Sequence, residues 1–281
     1  MLTLLKPEEF DRYADWAYAL ALDLTRSGYP TYADGIKTRE DFISRARRGM
    51  ARENEEILLL RVDGQVCGWI HWYWLAEDGY AQAISFLTAS HTEAAIGEFA
   101  AHAAAKRPGY ALHMGFPTDN APAIEGLQRS GFRLLEQSVH HELFFDRCPL
   151  REVPREVSLL SGSDDEASFR ALHTATDLYW TAERILRDRA NWRVYLYRDG
   201  HRPTAALYAQ VSADGWPEIF GIVGAADPTA YRALLIACLH DGKAAGASHM
   251  TYFEEDKRML PILLELGFEV ISRYVCYQKT I

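Results

Sequence analysis

The sequence predicts an α/β protein with a mixed sheet, in which one domain occurs twice. The first observation is that four dipeptides recur at a constant spacing of 136 positions, as from residue 63 to residue 199. The pairs are Asp63-Gly64 with Asp199-Gly200, Asp78-Gly79 with Asp214-Gly215, His113-Met114 with His249-Met250, and Gly131-Phe132 with Gly267-Phe268. The second observation is that strand and helix patterns follow one another in the same order in both copies. A repeat of this length indicates a duplicated domain, and 281 residues fit two domains of ordinary size.

Hydrophobic periodicity and turn residues predict the elements of the first copy. Asp63-Gly64 is typical of a hairpin turn between two β-rich runs. Thr38 is a candidate N-cap, because acidic residues follow it in the first turn of a helical pattern. The predicted strands cover residues 2–5, 56–62, 66–75, 80–87, 110–116 and 132–145, and the predicted helices cover 10–24, 92–106 and 119–130, with one more beginning at Thr38.

The second copy repeats this order with a shorter opening region. Its predicted strands cover residues 157–160, 192–197, 204–211, 216–223 and 248–253 and continue to 279, and its predicted helices cover 164–175, 228–245 and 254–266. Hairpins combined with one β-α-β crossover per copy imply a mixed sheet with helices on both faces. The resulting domains are 1–146 and 157–281, joined by a linker at 147–156 that contains two prolines and several polar residues.

Composition excludes several classes of function. A net charge of −9 weighs against nucleic-acid binding, which requires a clustered basic face. We expect no membrane partner and a cytoplasmic location, because no apolar run approaches the length of a membrane span and no signal peptide is recognised. The four cysteines are scattered, which is typical of reduced thiols. We expect no metal site, since the adjacent pair His140-His141 would point to opposite faces of a strand.

The order of elements and one local motif resemble the GCN5-related N-acetyltransferase (GNAT) superfamily. The motif runs from Asn120 to Phe132 and is similar to the family's N-x-x-A-x-x-x-Y-x-x-x-G-F signature, which links the fifth strand, the fourth helix and the sixth strand. The resemblance covers nearly the whole chain as a tandem pair of GNAT-like acyl-CoA N-acyltransferase domains. It implies acetyl-CoA as co-substrate and transfer of its acetyl group to an amine.

The resemblance also implies a set of cofactor-binding residues. In the family, backbone N–H groups of the fourth strand and of the following helix hold the cofactor. The corresponding residues are Phe86, Leu87, Thr88, Thr92, Ala94 and Asn120 in the first copy, and Ile222 and Val223 in the second. The family's glycine-rich loop is missing from both copies, and an acid stands near each helix start, Glu93 and Asp227. These acids either weaken phosphate binding or simply favour the helix dipole.

The family's proton-donating residues are altered as well. The helical tyrosine of the signature is replaced by Leu127 in the first copy and by Leu263 in the second. A general base is expected on the fourth strand, where the second copy has Glu218 and the first has Gln82. We take Glu218 as the candidate catalytic residue, with an outward-facing glutamate as the alternative.

The strand predicted at residues 66–75 is rich in aromatic side chains. Strand alternation places Trp69, His71 and Tyr73 on one face, where they are candidates for an acceptor pocket. The same residues could instead form a core or a surface that joins the two copies. The matching strand of the second copy is far less aromatic, so a specialised pocket is expected in the first copy.

Two functions remain open on the sequence. The first is an acetyl-CoA-dependent N-acetyltransferase of a small amine, with one copy catalytic and the other structural, acting as a monomer or homodimer. The second is a binding or regulatory protein that keeps the fold and has lost acyl transfer. The fourth-strand backbone favours the first hypothesis, because its N–H groups would polarise the thioester carbonyl in either copy.

Overall fold

The computed structural model describes residues 1–28, 32–33, 35–149, 151–175, 179–211, 217–224 and 227–281. The chain forms two compact units. Unit 1 consists of Met1–Ser138 together with Ser272–Ile281, and unit 2 consists of Val139–Ile271. Unit 1 therefore includes the last ten residues of the chain.

Within the described residues, unit 1 contains four α-helices, five whole strands and parts of two more. They are β1 (Leu2–Leu4), α1 (Phe10–Ala21), α2 (Arg39–Met50), β2 (Glu55–Val62), β3 (Gln65–Leu75), β4 (Tyr80–Thr88), α3 (Thr92–Lys106), β5 (Ala111–Pro117), α4 (Ala121–Arg129) and the start of β6 (Arg133–Phe144). The final strand of the chain, which is β12 (Glu269–Thr280), ends in this unit.

Unit 2 is built in the same order. It contains β7 (Val157–Leu159), α5 (Gly162–Leu172), α6 (Ala182–Arg187), β8 (Arg193–Asp199), β9 (Arg202–Gln210), β10 (Glu218–Val223), α7 (Pro228–Ala244), β11 (His249–Glu254) and α8 (Leu260–Leu266). The predicted turn at Asp214-Gly215 and the predicted strand start at Trp216 lie outside the described residues.

Local signals predicted most of these elements well. Thr38 and Asp41 form a reciprocal capping box at the start of α2. Asp63 and Gly64 both have positive φ, 48° and 79°, as a two-residue hairpin turn requires. The helix predicted at 254–266 is wrong in its first half, because Glu254 still belongs to β11 and the helix begins at Leu260, next to Pro261.

Each unit has a mixed six-stranded arrangement with one parallel pair. In unit 1 the strand order is β1-β2-β3-β4-β5-β12, and only β4 and β5 are parallel. In unit 2 the order is β6-β11-β10-β9-β8-β7, and only β10 and β11 are parallel. The predicted mixed sheet is confirmed.

The last strand of each unit comes from the other copy of the repeat. Residues Tyr274–Thr280 of β12 pair antiparallel with β5 in unit 1. Residues Val139–Phe144 of β6 pair antiparallel with β11 in unit 2. The predicted domains 1–146 and 157–281 follow the sequence repeat, whereas the compact units exchange these strands. The predicted linker packs within unit 2, where Arg147 pairs with Glu269 at 2.8 Å.

Helices cover both faces of the strands in each unit. In unit 1, α1 and α2 pack on one face and α3 and α4 on the other. In unit 2, α5 and α6 pack on one face and α7 and α8 on the other. All four cysteines are buried and free of disulfides, in agreement with the expectation of reduced thiols.

Candidate functional site

The parallel strands of unit 1 separate soon after they start. β4 and β5 are paired only from Tyr80–Ala111 to Gln82–His113, after which the two strands diverge. A bulge at Ile84 marks the point of separation, since Ala83 pairs with Trp72 and Ser85 with His71. Unit 2 has the same bulge at Phe220, 136 positions further on, so the repeat includes this local geometry.

A cleft of about 910 Å³ opens where β4, α3 and α4 meet in unit 1. Its lining residues are Thr25, Arg26, Thr88, Ala89, Ser90, His91, Thr92, Glu93, Ala94, Ala121, Pro122, Glu125 and Arg129. α3 and α4 approach closely beside it because Gly126 has no side chain. A β-carbon there would lie 2.8 Å from Ile96 Cδ1 and 3.4 Å from Glu93 Cα.

The start of α3 presents open backbone donors to this cleft. His91, the N-cap residue, has a φ of 59° and its side chain caps nothing. Within the part of the chain that the structure describes, the N–H groups of Thr92, Glu93 and Ala94 donate to no backbone carbonyl or side chain. Such a helix start favours anions through its N–H groups and its dipole. The Thr88 and Thr92 hydroxyls lie 2.8 Å apart at the rim.

The charged side chains of the cleft largely neutralise one another. Arg129 Nε lies 2.9 Å from Glu93 Oε1, and Arg129 Nη1 lies 3.5 Å from Glu125 Oε2. Arg26 Nε pairs with Asp23 at 3.3 Å. All of these side chains are exposed, so a phosphate-bearing ligand can recruit the arginines at small cost. Glu93 in the first turn of α3, and Glu125 across the cleft, oppose an anion.

Asn120 is held in place by two hydrogen bonds. Its side-chain oxygen accepts from Ala123 N at 3.2 Å and so caps α4. Its amide nitrogen donates to Ser27 O at 2.9 Å. Asn120 is 1% exposed, directly precedes Ala121 of the cleft lining, and contacts the segment that follows α1.

In unit 2 the corresponding helix start is closed by its own side chains. The Tyr231 and Tyr252 hydroxyls both donate to Glu254 Oε2, the latter at 2.6 Å, and this joins the first turn of α7 to the end of β11. Asp227 caps α7 by accepting from Thr229 N at 2.9 Å. Pro228 removes a further N–H donor. Within the described residues, the start of α3 thus keeps open backbone donors, whereas the start of α7 is capped by Asp227 and carries a proline.

The remaining candidates of unit 2 lie in its sheet. Glu218 is the first residue of β10 and is half-buried, and Ile222 and Val223 end the strand before Gly224. Glu218 is paired with Thr251, so their side chains share one face. On that face the Thr251 hydroxyl donates to Glu142 at 2.7 Å. Glu218 thus belongs to unit 2, whereas the open cleft belongs to unit 1.

Two of the three acceptor-pocket candidates are buried in the core of unit 1. Trp69 is fully buried between α1 and α2, with its ring 5.9 Å from those of Phe10 and Phe42. His71 is 2% exposed. Tyr73 is half-buried and its hydroxyl donates to Gln82 Oε1 at 2.8 Å. The aromatic face of β3 is therefore mostly core, which was the alternative to a ligand cleft.

His71 belongs to a buried ionic network at the base of α2. Its Nε2 lies 2.9 Å from Glu55 Oε2, which also accepts from Arg45 at 2.6 Å, and Arg52 donates to Glu55 Oε1 at 2.7 Å. Burial alone raises the pKa of Glu55, but the hydrogen bonds from His71 and the two arginines outweigh it and lower that pKa to about 2. Burial lowers the pKa of His71, so the neutral ring donates its Nε2–H to the carboxylate.

His113 stands where β4 and β5 separate. It is the last residue of β5 paired with β4, opposite Gln82, and its ring stacks on Tyr80 with centroids 4.6 Å apart. Burial, with a smaller effect of Arg133, lowers the pKa of His113 to about 4. The imidazole is therefore neutral at physiological pH and able to accept a proton.

Both leucines that replace the signature tyrosine are core residues. Leu127 packs under α4 in unit 1 and Leu263 under α8 in unit 2, each with no exposed surface. Leu127 does not line the cleft, so the signature position supplies no proton donor to it.

No family model matches the sequence, and no curated protein is significantly similar to it. Solved structures do match it along most of its length. A GCN5-related N-acetyltransferase from Sphaerobacter thermophilus has a TM-score of 0.63 at 13% identity, and the match covers 99% of this chain and 95% of that one. A GCN5-related N-acetyltransferase from Kribbella flavida has a TM-score of 0.57 at 17% identity, and the match covers 84% of this chain and 94% of that one. A tandem GNAT protein from the clavulanic acid biosynthesis pathway has a TM-score of 0.53 at 14% identity, and the match covers 99% of this chain and 98% of that one.

The chain has the GCN5-related N-acetyltransferase fold. The match to a tandem GNAT protein over 99% of the chain supports two domains of this fold. At these identities the likeness establishes the architecture, and the activity has to be argued from the site. No helix in the described ranges is long and apolar enough to cross a membrane. The same residues contain no group of three or more His, Cys, Asp or Glu side chains arranged to hold a metal ion.

The sequence reasoning missed part of this GNAT-fold cleft. Thr88, Thr92 and Ala94 line it as predicted residues, but Arg26 and Arg129 were not foreseen. Arg26 follows α1, far away in sequence, and nothing in its neighbourhood signals a ligand. Arg129 lies within the quoted motif at a position that the signature leaves unspecified.

Proposed function

We propose that this protein is an acetyl-CoA-dependent N-acetyltransferase that acts on a small amine. Unit 1 binds the cofactor, and unit 2 is structural. The observation that carries the proposal is the open start of α3, with three N–H groups directed at a large cleft beside the diverging strands. The GNAT fold of the chain supports it, because the neighbours that share the fold are described as N-acetyltransferases.

Different residues of unit 1 would bind the phosphates, polarise the thioester carbonyl and accept a proton. The amides of Thr92–Ala94, together with Arg26 and Arg129, would hold phosphates. Phe86 N–H, which has the same strand parity as Thr88 N–H, points into the gap between β4 and β5 and can polarise a carbonyl there. Bound acetyl-CoA supplies an acetyl group activated as a thioester. His113 would accept the proton that the attacking amine releases.

The alternative is a GNAT-fold binding protein without transferase activity. One observation favours it: Thr88 N–H and the Asn120 amide are both engaged by the chain itself. Glu93 at the helix start also opposes phosphate. Both functions require the cleft to bind a cofactor-like ligand, and they differ in turnover.

Binding and turnover separate the two functions. We expect calorimetric titration to show binding of acetyl-CoA and of free CoA, and a panel of small amines to contain at least one that accelerates release of the CoA thiol. Binding without any amine-dependent release would support the alternative. Absence of binding at millimolar ligand would contradict both.

Removing the acid at the helix start should strengthen cofactor binding. In Glu93→Gln the phosphate no longer meets a negative charge and Arg129 loses a competing partner, so we expect about threefold to tenfold tighter binding of CoA. The gain should shrink at high salt because these side chains are exposed. Asp227→Asn in unit 2 is the matched control, and an equal gain there would contradict the assignment to unit 1.

Substituting two equivalent histidines, one in each unit, tests which residue is the general base. We expect His113→Asn to lower turnover by about 10²-fold with little change in CoA affinity, whereas His249→Asn should change turnover less than threefold. Across the neutral range the wild-type rate should rise as the acceptor amine loses its proton, and protonation of His113 should lower the rate only near pH 4. Loss of turnover in Glu218→Gln, with His113→Asn active, would place the chemistry in unit 2.

A further inference from the structure

The segment that follows α1 lies in the gap between β4 and β5. Arg26 O accepts from Thr88 N at 3.1 Å, which places this segment along the free side of β4. Ser27 O accepts from the Asn120 amide at 2.9 Å. Gly28 lies between the two strands, because a β-carbon on it would be 3.3 Å from both Phe86 N and Gly115 O. We call Arg26–Gly28 the strap.

The strap uses the donors that an elongated ligand would need. Thr88 lines the cleft and Asn120 directly precedes its lining residue Ala121, and Thr88 N–H and the Asn120 side-chain amide both donate to strap carbonyls. Gly28 covers Phe86 N–H. The outer cleft, with the open amides of α3, is free of the strap except at its wall, where Arg26 stands. A ligand can thus place phosphates at α3 while its remaining length is kept out of the gap.

The strap is anchored at its start and carries an unpaired group in its middle. Arg26 N and Ser27 N both donate to Asp23 O at 2.9 Å, and two carbonyls accept from β4 and from Asn120. Against these bonds stands the Ser27 hydroxyl, which is fully buried and has no hydrogen-bond partner within the described part of the chain. A buried hydroxyl without a partner destabilises the conformation that buries it. Displacement of the strap returns this hydroxyl to water and frees both donors for a ligand.

We propose that Arg26–Gly28 is a displaceable strap that gates the gap between β4 and β5. With the strap in place, the cleft accepts only the phosphate-bearing nucleotide end of a ligand. The arm beyond the phosphates enters when the strap withdraws. The proposal rests on the proposed cofactor cleft for its ligand, and on the strap's own contacts for its closed state.

Two variants shift the strap in opposite directions. Asn120→Ser keeps an N-cap oxygen for α4 but removes the donor to Ser27 O, so the strap is released. Ser27→Ala removes the unpaired hydroxyl without touching either hydrogen bond, so the strap is tightened. We expect hydrogen exchange of the peptide that covers the strap to become at least tenfold faster in Asn120→Ser and slower in Ser27→Ala than in the wild type. Unchanged exchange in both variants would overturn the strap, whatever the ligand does.

Ligand binding gives the second readout. The probes are CoA and 3′-phosphoadenosine 5′-diphosphate, which is its nucleotide end. We expect the wild type to bind the two within about threefold of each other, and Asn120→Ser to bind CoA at least tenfold more tightly than the nucleotide. In the wild type only CoA should accelerate exchange of the strap. If the wild type binds CoA tenfold more tightly than the nucleotide while the strap stays fully protected from hydrogen exchange, the proposal that the strap gates the gap is overturned. Failure of both probes to bind would overturn the proposed function, while the exchange comparison still decides the strap.

Discussion

Deleting Ser272–Ile281 should unfold unit 1, although these residues end the second copy of the repeat. The deletion removes the strand paired with β5 from Ala111 to Pro117. It also removes the buried side chains of Val275 and Tyr277 from the core beneath α3 and α4. Each buried side chain contributes about 1.5–3 kcal/mol and each ladder hydrogen bond about 0.5–1.5 kcal/mol. The total approaches the roughly 5–15 kcal/mol that stabilises a whole domain.

Hydrogen exchange shows which unit loses protection. We expect β4 and β5 peptides to exchange at least a hundredfold faster in the truncated protein, with a smaller change in α7. Adding a synthetic peptide of residues Ser272–Ile281 should restore protection of β5. Loss of protection in α7 with β5 unchanged would contradict the strand exchange and restore the division at residues 146 and 157.

Glu55→Ala should destabilise unit 1. The change leaves Arg45, Arg52 and the buried His71 without their shared acceptor. His71 stays buried without its acceptor, whereas Arg45 and Arg52 are partly exposed and can be hydrated, so we expect a cost of about 1–3 kcal/mol. Glu55→Gln, which keeps an acceptor oxygen, should cost less. The free energies of unfolding can be measured by urea denaturation.

An exposed ion pair supplies the control for this prediction. Asp11 pairs with Arg47 at 2.7 Å with both side chains largely exposed, so Asp11→Ala should cost less than about 1 kcal/mol. A loss of stability in Asp11→Ala equal to that in Glu55→Ala would show that burial of the network is not what matters.

The same network makes stability depend on pH in a defined direction. The pKa values of His71 and Glu55 are both lower in the folded state than their ordinary values of about 6.5 and 4.5. Their contributions are therefore complete above about pH 6.5 and are lost as the pH falls, first through His71 and then through Glu55 toward pH 2. Glu55→Ala should flatten the part of this decline that lies below about pH 4.5, and an unchanged decline there would exclude Glu55 as its cause.

Signals confined to a few neighbouring residues predicted the local structure. Thr38 and Asp41 specify the start of α2 through their own side chains, and Asp63-Gly64 specifies a turn through backbone conformation. The Asn120 cap likewise depends on residues within one helical turn. The 136-residue repeat added the order of the elements, and through it the fold.

The sequence could not predict which groups meet over long distances. β6 and β12 carry equivalent strand patterns, so their periodicity does not tell which unit each of them completes. The strap makes its contacts with backbone carbonyls, which every residue possesses. Tyr231 and Glu254 close the helix start of unit 2 only because the fold brings the start of α7 to the end of β11.

One titration tests most directly whether the start of α3 in unit 1 is the cofactor site. Ala94 and Thr229 are exposed residues in the first turns of α3 and α7, so the same acid can be introduced in each unit. We expect the wild type to bind one CoA per chain, Ala94→Asp to bind at least tenfold more weakly because the acid repels phosphate at the helix start, and Thr229→Asp to match the wild type. If Ala94→Asp binds CoA as tightly as the wild type and Thr229→Asp binds it more weakly, the assignment to unit 1 is contradicted. If the wild type does not bind CoA, the cofactor site itself is contradicted.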